Sequence, residues 1–330
     1  MKKAAILFSS VMLLALAQPA PAQTGESAPN SASKPESVVP EWQKAAGGHL
    51  EFDVASVKQS EATSAGSRTM PTSNVPLSPG DAFSPTGGLF QATHWPLIVY
   101  ITFAYKLSPD ELQPLTEELP KWVLTDFFDI EARASGNPTK DQFRLMMQSL
   151  LADRFKLALH TETRSGPVYA LVLDKPGKFG PQLQPHTADS PACPPSGSEL
   201  PIAASTVAGG FPSQCGSIAI IPSSKPGRIG FGARNVTMGL IAGTISGAGK
   251  FIGDLGRPVI DGTGLSGTYD FLIDFAPDLP AGMKMPGQDA TDTAPTFLEA
   301  LKEQLGLKLE PRTGDVSQVV VDHVEKPTPN

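Results

Sequence analysis

The clearest hydrophobic periodicity lies at residues 139–155. Phe143, Met146, Met147, Leu150 and Leu151 fall at i, i+3, i+4, i+7 and i+8, which puts one apolar stripe on a helix. Thr139 and Gln142 stand at capping-box spacing ahead of it. Phe297, Leu298, Leu301 and Leu305 draw a second stripe. Pro295 suits an early helical position there, and Gly306 suits the C-terminal cap. Alternation of Phe52, Val54 and Ser56 with Asp53, Ala55 and Val57 predicts a short strand.

These elements recur in order. With Phe90 placed on Phe231, a constant offset of 141 residues runs without a gap to Phe128 on Tyr269. Ala92 meets Ala233, His94 meets Asn235, Leu97 meets Met238 and Asp129 meets Asp270. Each copy opens with an extended segment (89–93; 229–234) and an apolar helix (96–105; 237–245). A turn-rich connection, a strand (127–134; 269–275) and the amphipathic helix follow. An eleven-residue change of offset then aligns Phe155-Lys156-Leu157 with Leu307-Lys308-Leu309. Two extended runs close each copy, 156–163 with 168–174 and 307–311 with 318–324. The fold class expected is α+β: two pseudo-repeats, each with amphipathic helices packed on a small mixed sheet.

The start of the chain sets the compartment. Lys2 and Lys3, an apolar run over 4–17 and Ala20-Pro21-Ala22 form the three parts of a secretory signal, with cleavage between Ala22 and Gln23. The apolar run is shorter than the roughly 20 residues a membrane span requires. The expected organisation is a signal peptide (1–22), a flexible Ser/Pro-rich leader (23–48), a first α+β unit (49–180), a Pro/Ser-rich insertion (181–226) and a second α+β unit (227–330). Structure is expected from Leu50, with 61–87 a long loop. The protein is expected in the periplasm or secreted, with no permanent membrane span. Cleavage removes two lysines and takes the net charge from −7 to −9. A chain that acidic offers no electrostatic footprint for nucleic acid. Cys193 and Cys215, both in the insertion, are expected to form a disulfide in an oxidising compartment.

Familiar catalytic patterns fail on their context. Gly262-Thr263-Gly264-Leu265-Ser266-Gly267 has dinucleotide-loop spacing, but a strand follows where a phosphate-binding helix is needed. Ser246-Gly247-Ala248-Gly249-Lys250 lacks the first glycine and the final hydroxyl of a phosphate loop. G-x-S-x-G and H-E-x-x-H are absent. No cofactor and no metal are expected. His160 and Glu162 share one face of a strand, and Asp322, His323 and Glu325 cluster near the C-terminus. If the copies pack by pseudo-symmetry these clusters could meet as an acid/base or metal site; Arg154 and Arg164 are their ordinary ion-pair partners.

Several of these stretches carry a resemblance. Phe52-Asp53-Val54-Ala55-Ser56-Val57-Lys58, the Leu150–Leu157 run with His160 and Glu162, Arg257-Pro258-Val259-Ile260-Asp261-Gly262-Thr263-Gly264 and Val321-Asp322-His323-Val324-Glu325-Lys326-Pro327 resemble the soil-associated exported family of unknown function. The resemblance brings no catalytic residues. It implies an extracytoplasmic sensing or docking role, because related domains are fused behind beta-lactam-sensor-type membrane zinc peptidases. The chain departs from the family pattern at 243–249, where glycines are expected to shorten the second apolar helix. The function expected is a binding or protein-interaction module without catalysis, for an envelope protein, peptide or small ligand. Two alternatives stand beside it: a metal-dependent or acid/base hydrolase using His160, Glu162, Asp322, His323 and Glu325, and a structural envelope protein.

Overall fold

A computed structural model describes residues 39–60, 70–193, 208–221, 223, 225–249, 252–279 and 294–327. The segment expected to be a signal peptide, its expected cleavage site, the leader as far as residue 38 and the middle of the insertion lie outside these residues. The chain forms a mixed α+β fold with three sheets.

The first sheet has the order β1-β4-β3-β2, from β1 (Val54–Gln59), β2 (Thr72–Ser73), β3 (Leu89–Pro96) and β4 (Phe127–Arg133). Phe128, Ile130 and Ala132 alternate inward on β4, as a one-sided sheet requires. They meet α2 (Leu97–Tyr105), α4 (Lys121–Thr125) and α5 (Lys140–Phe155). The stripe on α5 is buried throughout, and the Thr139/Gln142 capping box is formed. The connection read as turns contains α3 (Pro109–Glu118), with Pro109 in its first turn and a Ser108/Glu111 capping box, and also α4. Order also begins before Leu50: α1 (Glu41–Ala45) starts after Pro40, and its Trp42 ring lies under the Lys106 ammonium.

The second sheet has the order β6-β10-β8-β7, from β6 (Leu183–Pro185), β7 (Ile218–Ile221), β8 (Ile229–Val236) and β10 (Tyr269–Phe275). Its outer strands both come from the segment read as an insertion, so the ends of that segment belong to the sheet. Register repeats as well. Ala92 faces Ile130 and Trp95 faces Phe128; Ala233 faces Phe271 and Val236 faces Tyr269. The residue extra to each pairing holds a left-handed φ, 59° at His94 and 56° at Asn235. Its N–H, freed from the ladder by the bulge, donates to a carboxylate on the next strand: Asp129 at 2.8 Å and Asp270 at 2.9 Å. A residue just beyond the edge strand adds a second bond, Ser60 to Asp129 and His186 to Asp270.

Helix α6 (Met238–Gly247) is not shortened by its glycines. A Cβ at Gly243 would stand 2.8 Å from the Asp110 carboxylate, and one at Gly247 would stand 2.5 Å from the Pro109 Cβ. Both glycines are therefore used to bring α6 against the start of α3. The last helix also differs from expectation. Thr296 caps α7 (Phe297–Ala300) in a box with Glu299, which leaves Pro295 outside the helix. A wider turn follows over Leu301–Leu305, and Gly306 closes it at φ 69°. Leu298, assigned to the stripe, is 48% exposed; Ala300 takes its place inside.

The third sheet joins the halves. The two runs expected at the end of each copy are single strands, β5 (Ala158–Leu173) and β11 (Leu307–His323), paired antiparallel along their whole length. β9 (Val259–Asp261) adds a parallel edge to β5. Leu157, Leu159, Val319 and Val321 pack on the first core, while Leu171, Leu173, Leu307 and Leu309 pack on the second. Each core is thus completed by a strand end from the other half. Among the described residues no helix is long and apolar enough to cross a membrane.

Candidate functional site

The strand pairing of β5 with β11 brings three of the five candidate residues together. His160 Nδ1 lies 2.9 Å from Asp322 Oδ2, and Nε2 lies 3.4 Å from Glu162 Oε1. Glu162 also accepts from the Arg164 guanidinium at 2.7 Å. His323 and Glu325 form their own exposed pair at 2.8 Å and do not join the cluster. Among the described residues no group of three or more His, Cys, Asp or Glu is placed to hold a metal ion, which weighs against the metal-dependent hydrolase.

The electrostatics of this cluster are those of a solvated strand face. Hydrogen bonds to Asp322 and then Glu162 raise the His160 pKa, and the Arg164 and His160 bonds lower that of Glu162. Because His160 gains its partners only on folding, its protonated form favours the native state. That contribution is complete below about pH 6.5, the ordinary imidazole value, and is lost as pH rises through the higher folded value. NMR titration is expected to place the His160 midpoint above the ordinary value, and Asp322→Asn to bring it down. A wild-type midpoint at or below the ordinary value would refute the pairing.

A cleft of about 540 Å³ opens elsewhere, a volume in the range of small-ligand sites. One wall comes from the first half: Trp42, the loop 79–83, Lys106 and Ser108. The other comes from the second: Cys193, Asn235, Thr237, Gly239, Leu240 and Thr268. Local structure places each group. Lys106 is the left-handed cap of α2, and Ser108 caps α3. Asn235 is the bulge residue tied to Asp270, and Thr237 caps α6 by accepting from the Leu240 N–H. Cys193 is fixed by its disulfide to Cys215, whose Cα lies 5.7 Å away.

Buried cations hold the loop. Arg144 on α5 has no exposed side-chain surface. It donates to Asp81 at 2.8 Å, to Asp141, and to the carbonyls of Pro79 and Gly80, each at 2.8 Å. Lys140 donates to the carbonyls of Ser78 (3.0 Å) and Gly80. Burial, followed by the Arg144 charge, pushes the Lys140 amine well below the usual lysine range. Burial works to raise the Asp81 pKa, but bonds from Lys106 (Nζ at 2.6 Å) and Arg144 outweigh it and leave the carboxyl below its usual value.

Sequence reasoning missed this site. One signal was available: Lys140 and Arg144 share a helix face with Phe143, Met147 and Leu151, which marks two cations as buried. Trp42, Asp81 and Asn235 gave none, because only the folded chain brings them to one place.

Two four-stranded sheets, each with its own core and joined by a shared strand pair, define a mixed α+β protein with a cleft lined from both halves of the chain. Residues 99–324 match a family of proteins of unknown function, DUF3738, and the chain belongs to that family. No curated protein and no solved structure matches it.

Proposed function

We propose that the chain is an extracytoplasmic binding module, built by duplication of one α+β unit, that holds a small ligand or peptide in the cleft between its halves. The observation that carries the reading is that both halves line the cleft and each supplies polar groups to it. Duplication draws support from the common strand order, the common register and the bulge carboxylates Asp129 and Asp270. Export draws support from the signal-like start and from the disulfide, which suits an oxidising compartment. The resemblance to sensor-associated domains agrees with a role in recognition.

Gly239 supplies the test. It lies in the first turn of α6 facing the cleft, and a Cβ there would meet only Thr237 Oγ1, at 3.9 Å. Gly239→Leu should push an apolar side chain into the cleft from a position where its Cβ meets no clash, and helix propensity should keep stability unchanged or raise it by up to about 1 kcal/mol. Compounds and peptides that raise the melting temperature of the wild type by binding its native state are expected to shift this variant less. Equal shifts in both proteins would place binding elsewhere and end the cleft reading.

A further inference from the structure

The loop 79–83 forms part of one wall of the cleft. The carbonyls of Ser78, Pro79 and Gly80 all turn toward Lys140 or Arg144 on α5. Every described peptide bond is trans, so an N–H points away from the carbonyl that precedes it. The Gly80 and Asp81 N–H groups therefore face away from α5, and both residues line the cleft. Neither N–H has a hydrogen-bond partner among the described residues. Cations bonded to the carbonyl side polarise these peptides and make their N–H groups stronger donors. Beside them stands the Lys106 ammonium, which has three donors and gives one to Asp81. Trp42 and Phe83 supply apolar surface next to this polar end.

We infer that the Gly80 and Asp81 amides, with Lys106, form a seat for the carboxylate of a ligand whose apolar or aromatic body lies along Trp42 and Phe83. A peptide C-terminus and a small aromatic acid both have this chemistry. Arg144 and Lys140 are engaged on the carbonyl side of the loop, so the ammonium left at the seat is that of Lys106, itself shared with Asp81. A single, partly neutralised ammonium suits a monoanion better than a phosphate dianion. The seat rests on the cleft reading above and adds the charge of the ligand to it.

Three probes test the seat on the full chain by amide NMR: N-acetyl-phenylalanine, its uncharged amide, and phenyl phosphate. The acid is expected to shift the Gly80 and Asp81 resonances in a saturable way and to bind at least about tenfold more tightly than the amide, the value of one charge-assisted hydrogen bond. Lys106→Gln should narrow that difference, weakening the acid more than the amide. If that variant does not fold, the comparison of acid with amide on the wild type decides alone. Equal binding of acid and amide within the cleft overturns the seat and leaves the cleft standing. Tighter binding of phenyl phosphate overturns the choice of carboxylate. Absence of any shift in the cleft overturns the seat and counts against the cleft as well.

Discussion

Arg144→Met is expected to destabilise the protein by about 3 kcal/mol, read as a lower urea midpoint at unchanged slope. The guanidinium is fully buried on α5 and serves Asp81, Asp141 and two loop carbonyls at once. Removing it strands these acceptors and places an apolar chain beside them. Removing one partner of a buried pair costs about 3–5 kcal/mol. The lower end applies here, because the Asp81 side chain is 57% exposed and regains water. Arg144→Lys should recover only part of the loss, since an ammonium cannot span a carboxylate and two carbonyls as a planar fork does. A loss below about 1 kcal/mol would mean that the loop 79–83 is held by something other than this side chain.

Replacing both cysteines, Cys193→Ser with Cys215→Ser, is expected to cost about 3 kcal/mol through the freed loop of the unfolded chain. The native fold should survive. Buried Arg234 still donates to the carbonyls of Ser213 and Pro191, and His186 still meets Asp270 at 2.7 Å. These bonds pin both arms of the segment to the second sheet without the covalent link. Cys193 lines the cleft, so the same variant should also bind ligand more weakly than its stability alone explains. An unchanged urea midpoint would show that the disulfide adds nothing to the stability of the fold.

Local signals in the sequence carried the helices well. The α5 stripe and its Thr139/Gln142 box needed no tertiary information, and Gly306 marked a helix end by its need for positive φ. Ser108 and Glu111 offered an equal box for α3, hidden by Pro109 and Pro114 in a stretch that reads as turns. The long strands were not legible for a physical reason. The middles of β5 and β11 are polar and largely exposed, so no buried face imposes a period of two there; main-chain pairing alone continues the strand. β6 and β7 were hidden because three- and four-residue edges in a Pro/Ser-rich segment give too few alternations. For the site, the β5–β11 pairing brings His160, Glu162 and Asp322 together, which the sequence offered only as a conditional reading, while His323 pairs separately with Glu325. The cleft was beyond reach, because its walls come from residues as far apart in sequence as Trp42 and Thr268.

The glycines of α6 show how a local rule yields to packing. Helix propensity disfavours Gly243 and Gly247 by about 1 kcal/mol each relative to alanine. Their missing side chains are what lets α6 approach Ser108 and Pro109. That contact joins α6 to the start of α3, next to Ser108 and Gly239 of the cleft lining.

The measurement that tests the central claim most directly is a hydrogen–deuterium exchange footprint of any compound that stabilises the wild type. Binding in the cleft predicts slowed exchange in the loop 79–83 and at residues 235–240 together, with the His160 strand face unchanged. Protection of only one of these two segments, or around His160 and Asp322, would contradict it.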